Sequence, residues 1–228
     1  MRVAVMYSGG KDSSMALKYA LDKGWDVEAL ISVKPKSTES FLYQYATVEW
    51  TRLSSEALGI PAIHVKSEKI GPKEEAEELE LVFSKLGVDK ILVGGVGLQA
   101  TQIREWRRVA GRFGIELMVP YENLTSEELL QEEIKAGFDI RITSVASDGL
   151  GPEWLGEKLD SKNIKKWLEL SKKFGFDCLG EGGYMDSFIC DGPFFKKIIE
   201  FKSTEKIWDN KTSSGYLKVN DAILVDKN

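Results

Sequence analysis

A chain of 228 residues can form one large domain or two small ones with a real core. Its 43% apolar and 29% charged residues are ordinary for a globular protein, and a net charge of −5 supplies no overall basic field for nucleic acid or an anionic membrane. Cys178 and Cys190 form no C-x-x-C pair, the single His64 completes no zinc pattern, and no apolar run approaches the roughly 18 residues of a membrane span.

Two isolated thiols suit a reducing compartment. Met1–Tyr7 is too short for a signal-peptide core before it meets glycines. The expectation is a cytoplasmic protein with no membrane partner, and the acidic total weighs against a nucleic-acid partner without excluding a local basic patch.

The elements then follow in chain order. Val3–Tyr7 is a short apolar run ending in glycines, which predicts a buried strand. Ala16, Leu17, Ala20 and Leu21 line one face of a helix stopped near Gly24. Val27–Val33 predicts a second strand, ended by Pro35, and Tyr43–Leu58 a helix. Gly59-Ile60-Pro61 leads into a third strand through Ala62, Ile63 and Val65. Ala76, Leu79, Phe83 and Leu86 predict one helix over Lys73–Leu86, with Glu74, Glu75, Glu77 and Glu78 as its solvated face.

Lys90–Val93 reads as a fourth strand running into Gly94-Gly95. Ile103, Trp106, Ala110 and Phe113 mark the next helix, and Ile115–Val119 a fifth strand. Five strands alternating with helices predict a parallel, doubly wound α/β sheet.

The rhythm changes at Thr125. A helix over Ser126–Ala136, a strand over Phe138–Val145 and a helix near Asn163–Phe174 are followed by short strand-like runs. The predicted organisation is residues 1–125 as a nucleotide-binding domain and residues 126–228 as a smaller α+β substrate-binding domain.

Two constellations carry chemistry. The first is Ser8-Gly9-Gly10-Lys11-Asp12-Ser13, between the first strand and the first helix. Ligands of an open parallel sheet sit beyond the carboxyl ends of its strands. There the glycines bring backbone N–H groups close to phosphate oxygens, and the helix start adds about half a positive charge. Lys11 supplies a full charge, Ser8 and Ser13 supply hydroxyls, and Asp12 supplies a hard oxygen ligand for Mg²⁺. This places ATP on the loop.

Adenine is expected against the strand end Ile31-Ser32-Val33, pairing with its backbone N–H and C=O groups, and Gly94 is counted among the nucleotide-contacting residues. The second constellation is Gly180–Pro193, with Glu181, Asp186 and Asp191 among the glycines 180, 182, 183 and 192. Its acids can bind Mg²⁺ or an amine, or can simply face solvent around a tight turn. His64 reads as a satisfied strand residue and Trp106 as core. Trp154 and Trp208 are candidates for lining a second-domain cleft.

The run S-G-G-K-D-S resembles the pyrophosphate loop of the N-type ATP pyrophosphatases, and so implies a fold like the adenine nucleotide alpha hydrolases. Together with Gly180–Pro193 it is similar to the diphthine–ammonia ligase family, whose pattern is close to G-E-G-G-E-(Y/F)-E-T-(F/L)-V-L-D-x-P. Gly180, Glu181, Gly182, Gly183, Phe188, Asp191 and Pro193 match. Tyr184 stands for a Glu, Met185 for an aromatic, Asp186 for a Glu and Ser187 for a Thr.

Glu39–Gln44, Leu58–Pro61, Gly137-Phe138, Gly149-Leu150, Trp154–Gly156 and Thr212–Gly215 extend the likeness across the chain. Where the family has S-x-Y-Q-R-x-R, the run Gln99–Glu105 keeps Gln102 and lacks the paired arginines in register. Arg104, Arg107 and Arg108 lie on neighbouring turns, and helix phase argues against a simple exchange. The chain thus resembles a divergent member.

The resemblance implies ATP-dependent adenylation of the diphthine carboxylate on translation elongation factor two, followed by amidation with free ammonium. AMP and pyrophosphate are then the products. It further implies that Glu181 orients or deprotonates ammonium, that Asp186 or Asp191 helps position the acceptor, that Gly182 and Gly183 border it, and that Gln102 contacts nucleotide. Two alternatives remain beside it, a tRNA-modifying ATP pyrophosphatase and an ATP-binding sensor without ligase chemistry. Thiolating versions of the first generally need a catalytic cysteine pair or an iron–sulfur site, and Cys178 and Cys190 lack that spacing.

Overall fold

The computed structural model describes residues 1–36, 47–97 and 100–227. Its first sheet contains β1 (Arg2–Met6), β2 (Asp26–Pro35), β3 (Ala62–Ser67), β4 (Lys90–Leu92) and β5 (Glu116–Met118) in the order β3-β2-β1-β4-β5. Every pairing is parallel. The chain passes from β1 outward to β3, then returns to the other side of β1 as β4. The carboxyl ends of β1 and β4 therefore flank the point where strand order reverses, the usual ligand crevice of such sheets.

Helices cover both faces: α1 (Lys11–Asp22), α2 (Thr51–Leu58), α3 (Pro72–Glu77), α4 (Glu80–Leu86) and α5 (Ala100–Gly111). Val3 and Val5 point to the layer holding α1 and α2, while Ala4 and Met6 point to the layer holding α3, α4 and α5. That is the period-two alternation of a strand buried on both sides.

Three sequence expectations need correction. The helix expected over Tyr43–Leu58 begins later, because Thr47 is left-handed at φ 65° and a helix cannot run through it; residues 43–46 lie outside the described residues. The helix expected over Lys73–Leu86 is two, because Leu79 N–H reaches back to Ala76 O at 3.1 Å, a tighter turn that breaks the ladder. The acidic face is not wholly solvated. Glu75 is fully buried and accepts the Gly71 N–H, while Glu77 pairs with Arg108 and Arg112.

The second half adds α6 (Ser126–Lys135), β6 (Ile140–Ala146), β7 (Lys158–Leu159), α7 (Ile164–Phe174), β8 (Met185–Ile189), β9 (Lys197–Asp209) and β10 (Ser214–Asp226). Thr125 and Glu128 close a capping box that starts α6. The second sheet runs β7-β6-β10-β9 with β8 against β6, and its pairings are antiparallel.

The short C-terminal runs expected from sequence are two 13-residue strands. Most of their residues are exposed, so no sustained apolar alternation announced them. The halves share one core, in which Leu17, Leu30 and Leu92 join Leu129, Ile142 and Phe188. Removing a ring such as Phe188 from that core costs about 3–5 kcal/mol. Among the described residues no helix is long and apolar enough to cross a membrane.

Candidate nucleotide and acceptor site

β1 delivers the chain to Ser8 at the crevice. Gly9 then takes φ +85°, and a Cβ there would lie 2.7 Å from Phe188 Cε2, so both the backbone angle and the space require glycine. Gly10 is the N-cap of α1 and no side chain caps it, which leaves helix-start donors facing the crevice. The Ser8 and Ser13 hydroxyl oxygens lie 3.3 Å apart, and Ser13 Oγ donates to Gly10 O at 3.0 Å, holding the loop closed.

The second constellation lies directly against this loop. Along β8, Ile189 N–H donates to Gly9 O at 2.8 Å and Lys11 N–H donates to Ser187 Oγ at 3.2 Å. β8 is thereby tied to the loop on one edge and to β6 on the other. Upstream, Asp177 Oδ1 accepts the N–H groups of Leu179 and Glu181, at 3.0 and 3.2 Å, and shapes the turn carrying Glu181.

The Glu181 carboxylate reaches the β4 end, where Oε1 lies 2.9 Å from the position a Gly95 Cβ would occupy. Gly182 and Gly183 form the exposed part of the turn, and Tyr184 packs on Phe176 with ring centres 6.2 Å apart. Asp186 N–H donates to Ser144 Oγ at 3.1 Å.

Lys11 is 1% exposed. Its Nζ lies 2.7 Å from Asp12 Oδ2 and 3.6 Å from Glu133 Oε2. Burial works to lower the Lys11 pKa, but Asp12, Glu133 and Glu181 outweigh it and the net shift is upward, so the ammonium keeps its charge. Burial pushes the Glu133 carboxyl well above the usual range, with Lys11 opposing. Burial also raises Asp186, against the Ser144 hydroxyl and the Lys11 charge.

Asp12 Oδ1 is a buried oxygen with no hydrogen-bond partner. That atom suits Mg²⁺, which typically takes one or two carboxylates together with phosphate and water. Among the described residues no group of three or more His, Cys, Asp or Glu gathers as a closed metal cage.

Other predicted positions fall differently. Gly94 is needed for a close approach, since a Cβ there would lie 2.3 Å from the Asp12 carbonyl carbon. Ile31 O accepts the Tyr7 N–H at 2.8 Å and Ser32 Oγ donates to Tyr7 O at 2.7 Å, so both groups are engaged within the sheet. Pairing of β1 with β2 ends at Met6–Ile31. Val33 is the next residue whose N–H and C=O turn to that side.

Gln102 is half-buried in the first turn of α5. Asp191 lies past the loop-facing part of β8, where it pairs with Lys227 Nζ at 2.6 Å and accepts the Gly192 N–H at 2.8 Å. Arg104 and Arg108 pair with Glu105. Arg104 and Arg107 also line an open surface pocket of about 250 Å³, together with Gly97 and Glu122. His64 Nε2 lies 3.0 Å from Thr51 Oγ1, while Trp154 is buried against Trp167 with ring centres 5.0 Å apart. Residues Glu39–Gln44 and Gln99 lie outside the described residues.

Sequence reasoning missed Glu133, which is fully buried on α6. Its signal was present: the residue stands four after Leu129 and three after Leu130, a carboxylate on the apolar face of a helix.

Comparison with known proteins supplies the remaining observation. Residues 1–117 match the diphthamide synthase N-terminal domain and residues 125–225 the diphthamide synthase C-terminal domain. The chain is 32% identical over 252 residues to a Bos taurus protein and 30% identical over 252 residues to a Homo sapiens protein, both named diphthine–ammonia ligase. In each case the alignment covers 100% of this chain and 94% of the relative. A Schizosaccharomyces pombe protein of the same name is 28% identical over 249 residues, with 40% of its own length covered. Matched over nearly its whole length, with the loop and the glycine–acid strand packed together, the chain belongs to the diphthamide synthase family.

Proposed function

We propose that this protein is an ATP-dependent ligase that activates a carboxylate and amidates it with ammonia, with the diphthine side chain of translation elongation factor two as acceptor and Mg²⁺ as the metal. Residues 1–125 serve as the nucleotide unit and residues 126–228 as the acceptor unit of a cytoplasmic enzyme. One observation carries the reading. β8 hydrogen-bonds to the Gly9–Lys11 backbone, which sets Glu181 at the end of β4 and within the electrostatic reach of Lys11.

A carboxylate is a poor acyl donor until one of its oxygens becomes a good leaving group. Attack of that oxygen on the α phosphorus releases pyrophosphate, and attack of ammonia on the acyl carbon then releases AMP. The chain's own groups fit these demands. The Gly9-Gly10 backbone and the start of α1 bind phosphate oxygens, and the Lys11 ammonium meets charge building on the departing pyrophosphate.

Asp12 Oδ1 would hold Mg²⁺, which would supply further charge neutralisation there. Val33, past the last β1 pair, offers a fixed donor and acceptor to the adenine edge beyond Ile31 and Ser32. Glu181 takes the proton that ammonium must lose before it attacks, and Asp186, beside Ser144, positions the acceptor.

The test is incubation with ATP, Mg²⁺, ammonium and diphthine-bearing elongation factor two. AMP and pyrophosphate are expected in equal amounts, with the acceptor's carboxylic acid converted to the amide. Product formation with tRNA instead would replace the acceptor. ATP binding with no AMP under any of these conditions would leave a sensor.

A further inference from the structure

Lys11 and Glu133 come from different halves of the chain. One opens α1 in the nucleotide half and the other sits on α6 in the second half, yet both side chains are removed from water. Glu133 is 0% exposed, and neither of its carboxylate oxygens has a hydrogen-bond partner. The neighbouring cation is the Lys11 ammonium at 3.6 Å. Burial and the neighbouring Asp12 carboxylate both disfavour a charge on Glu133, and the Lys11 ammonium is the group that opposes them; a buried carboxylate persists where such an opposite charge stands beside it.

Asp12, the other anion on Lys11, is of a different kind. Its side chain is 30% exposed, and its buried Oδ1 has no hydrogen-bond partner in the protein. Once Asp12 engages a ligand, Lys11 retains one contact that cannot leave, which is Glu133.

We propose that Glu133 is a positioning residue, the fixed counter-ion that holds the Lys11 ammonium in place while Asp12 is free to serve the ligand. This rests on the reading of Lys11 as the group that meets phosphate charge. α6 thus reaches across the shared core to set a side chain of the loop. A group displaced by about 1 Å can lose about 100-fold in rate. Glu133→Gln keeps the shape and removes the charge, so pyrophosphate release should fall on the order of 10- to 100-fold. ATP affinity should change less than about 3-fold, because the backbone cradle is intact. Glu133→Asp, which keeps the charge on a shorter stem, should recover most of the rate.

The decisive comparison is a double-mutant cycle. Lys11→Met should be slow, and adding Glu133→Gln to it should cost no further rate, because there is no ammonium left to position. A merely structural Glu133 would instead cost the same factor in both backgrounds, and that result overturns the proposal. Unchanged turnover in Glu133→Gln overturns it as well.

Thermal unfolding reads the pairing without catalysis. Lys11→Met strands a buried carboxylate and should lower Tm, and Lys11→Met/Glu133→Gln should regain most of the loss. A double variant less stable than either single one would refute the pairing. If the wild-type protein bound no ATP, the ligase reading would fail, and the stability cycle would still decide the Lys11–Glu133 relation.

Discussion

Gly94→Ala isolates one geometric demand of the site. Gly94 does not have a positive φ, so alanine suffers no backbone penalty there. Its Cβ, however, would lie 2.3 Å from both the carbonyl carbon and the carbonyl oxygen of Asp12, and 2.6 Å from Ser13 N, all of them backbone atoms that cannot rotate away. Ordinary contact begins at 3.4 Å, so β4 and the first turn of α1 must separate by about 1 Å.

Overpacking of this kind costs about 1–3 kcal/mol. At roughly 2–4 °C per kcal/mol for a chain of this size, Tm should fall by about 2–12 °C. The same displacement moves the phosphate donors of α1, so pyrophosphate release should fall on the order of 100-fold. Calorimetric unfolding and a coupled pyrophosphate assay measure the two effects. A Gly94→Ala protein with wild-type Tm and turnover would refute the claim that β4 must touch α1 for the loop to work. Gly111→Ala, at the end of α5, is the contrasting control, because its φ is not positive and nothing lies within 4 Å of the added Cβ.

Asp12→Ala should lower Mg²⁺-dependent pyrophosphate release by about 10²–10³ with little change in Tm, since its carboxylate is partly exposed; wild-type release would place the metal elsewhere. Glu181→Ala should keep ATP affinity and lose amide formation, read by calorimetry and by mass analysis of the acceptor; weakened ATP binding would make Glu181 part of the nucleotide site. Partial desolvation lowers the His64 pKa below its ordinary 6.5, an effect that water reduces because the residue is exposed. The unfolded chain then takes up the proton more readily, and stability should drop as pH falls through 6.5, the unfolded value. Denaturation midpoints at pH 7.5 and 5.5 should differ less in His64→Asn than in wild type, and an equal difference would remove His64 as the cause.

Much of the N-terminal half was legible because its signals are local. A buried strand, a glycine turn and a helix start follow one another within residues 3–22, and each follows from side-chain shape and backbone freedom. The same holds for the five-strand alternation, since apolar periodicity records which faces are covered. Breaks set by single turns, at Thr47 and Leu79, were not legible, because apolar spacing stays in phase across them.

The C-terminal hairpin was hidden for a related reason. Strands with most of their residues exposed, and few buried ones such as Ile199, Leu217 and Val219, are held largely by backbone hydrogen bonds that have no residue signature.

The composition of the site divides along the same line. Ser8–Ser13 and Gly180–Pro193 stand out in the sequence as runs of unusual residues, but nothing local says that Ile189 meets Gly9 or that Ser187 meets Lys11. Nor does the sequence tell Asp191, held by Lys227, from Asp186, which lies within the electrostatic reach of Lys11. Glu133 is the clearest case, a carboxylate on an apolar helix face whose partner is 122 positions away. Side-chain chemistry and short-range spacing are properties of the chain itself. Which charges share a buried space depends on long-range packing, and only the tertiary structure decides it.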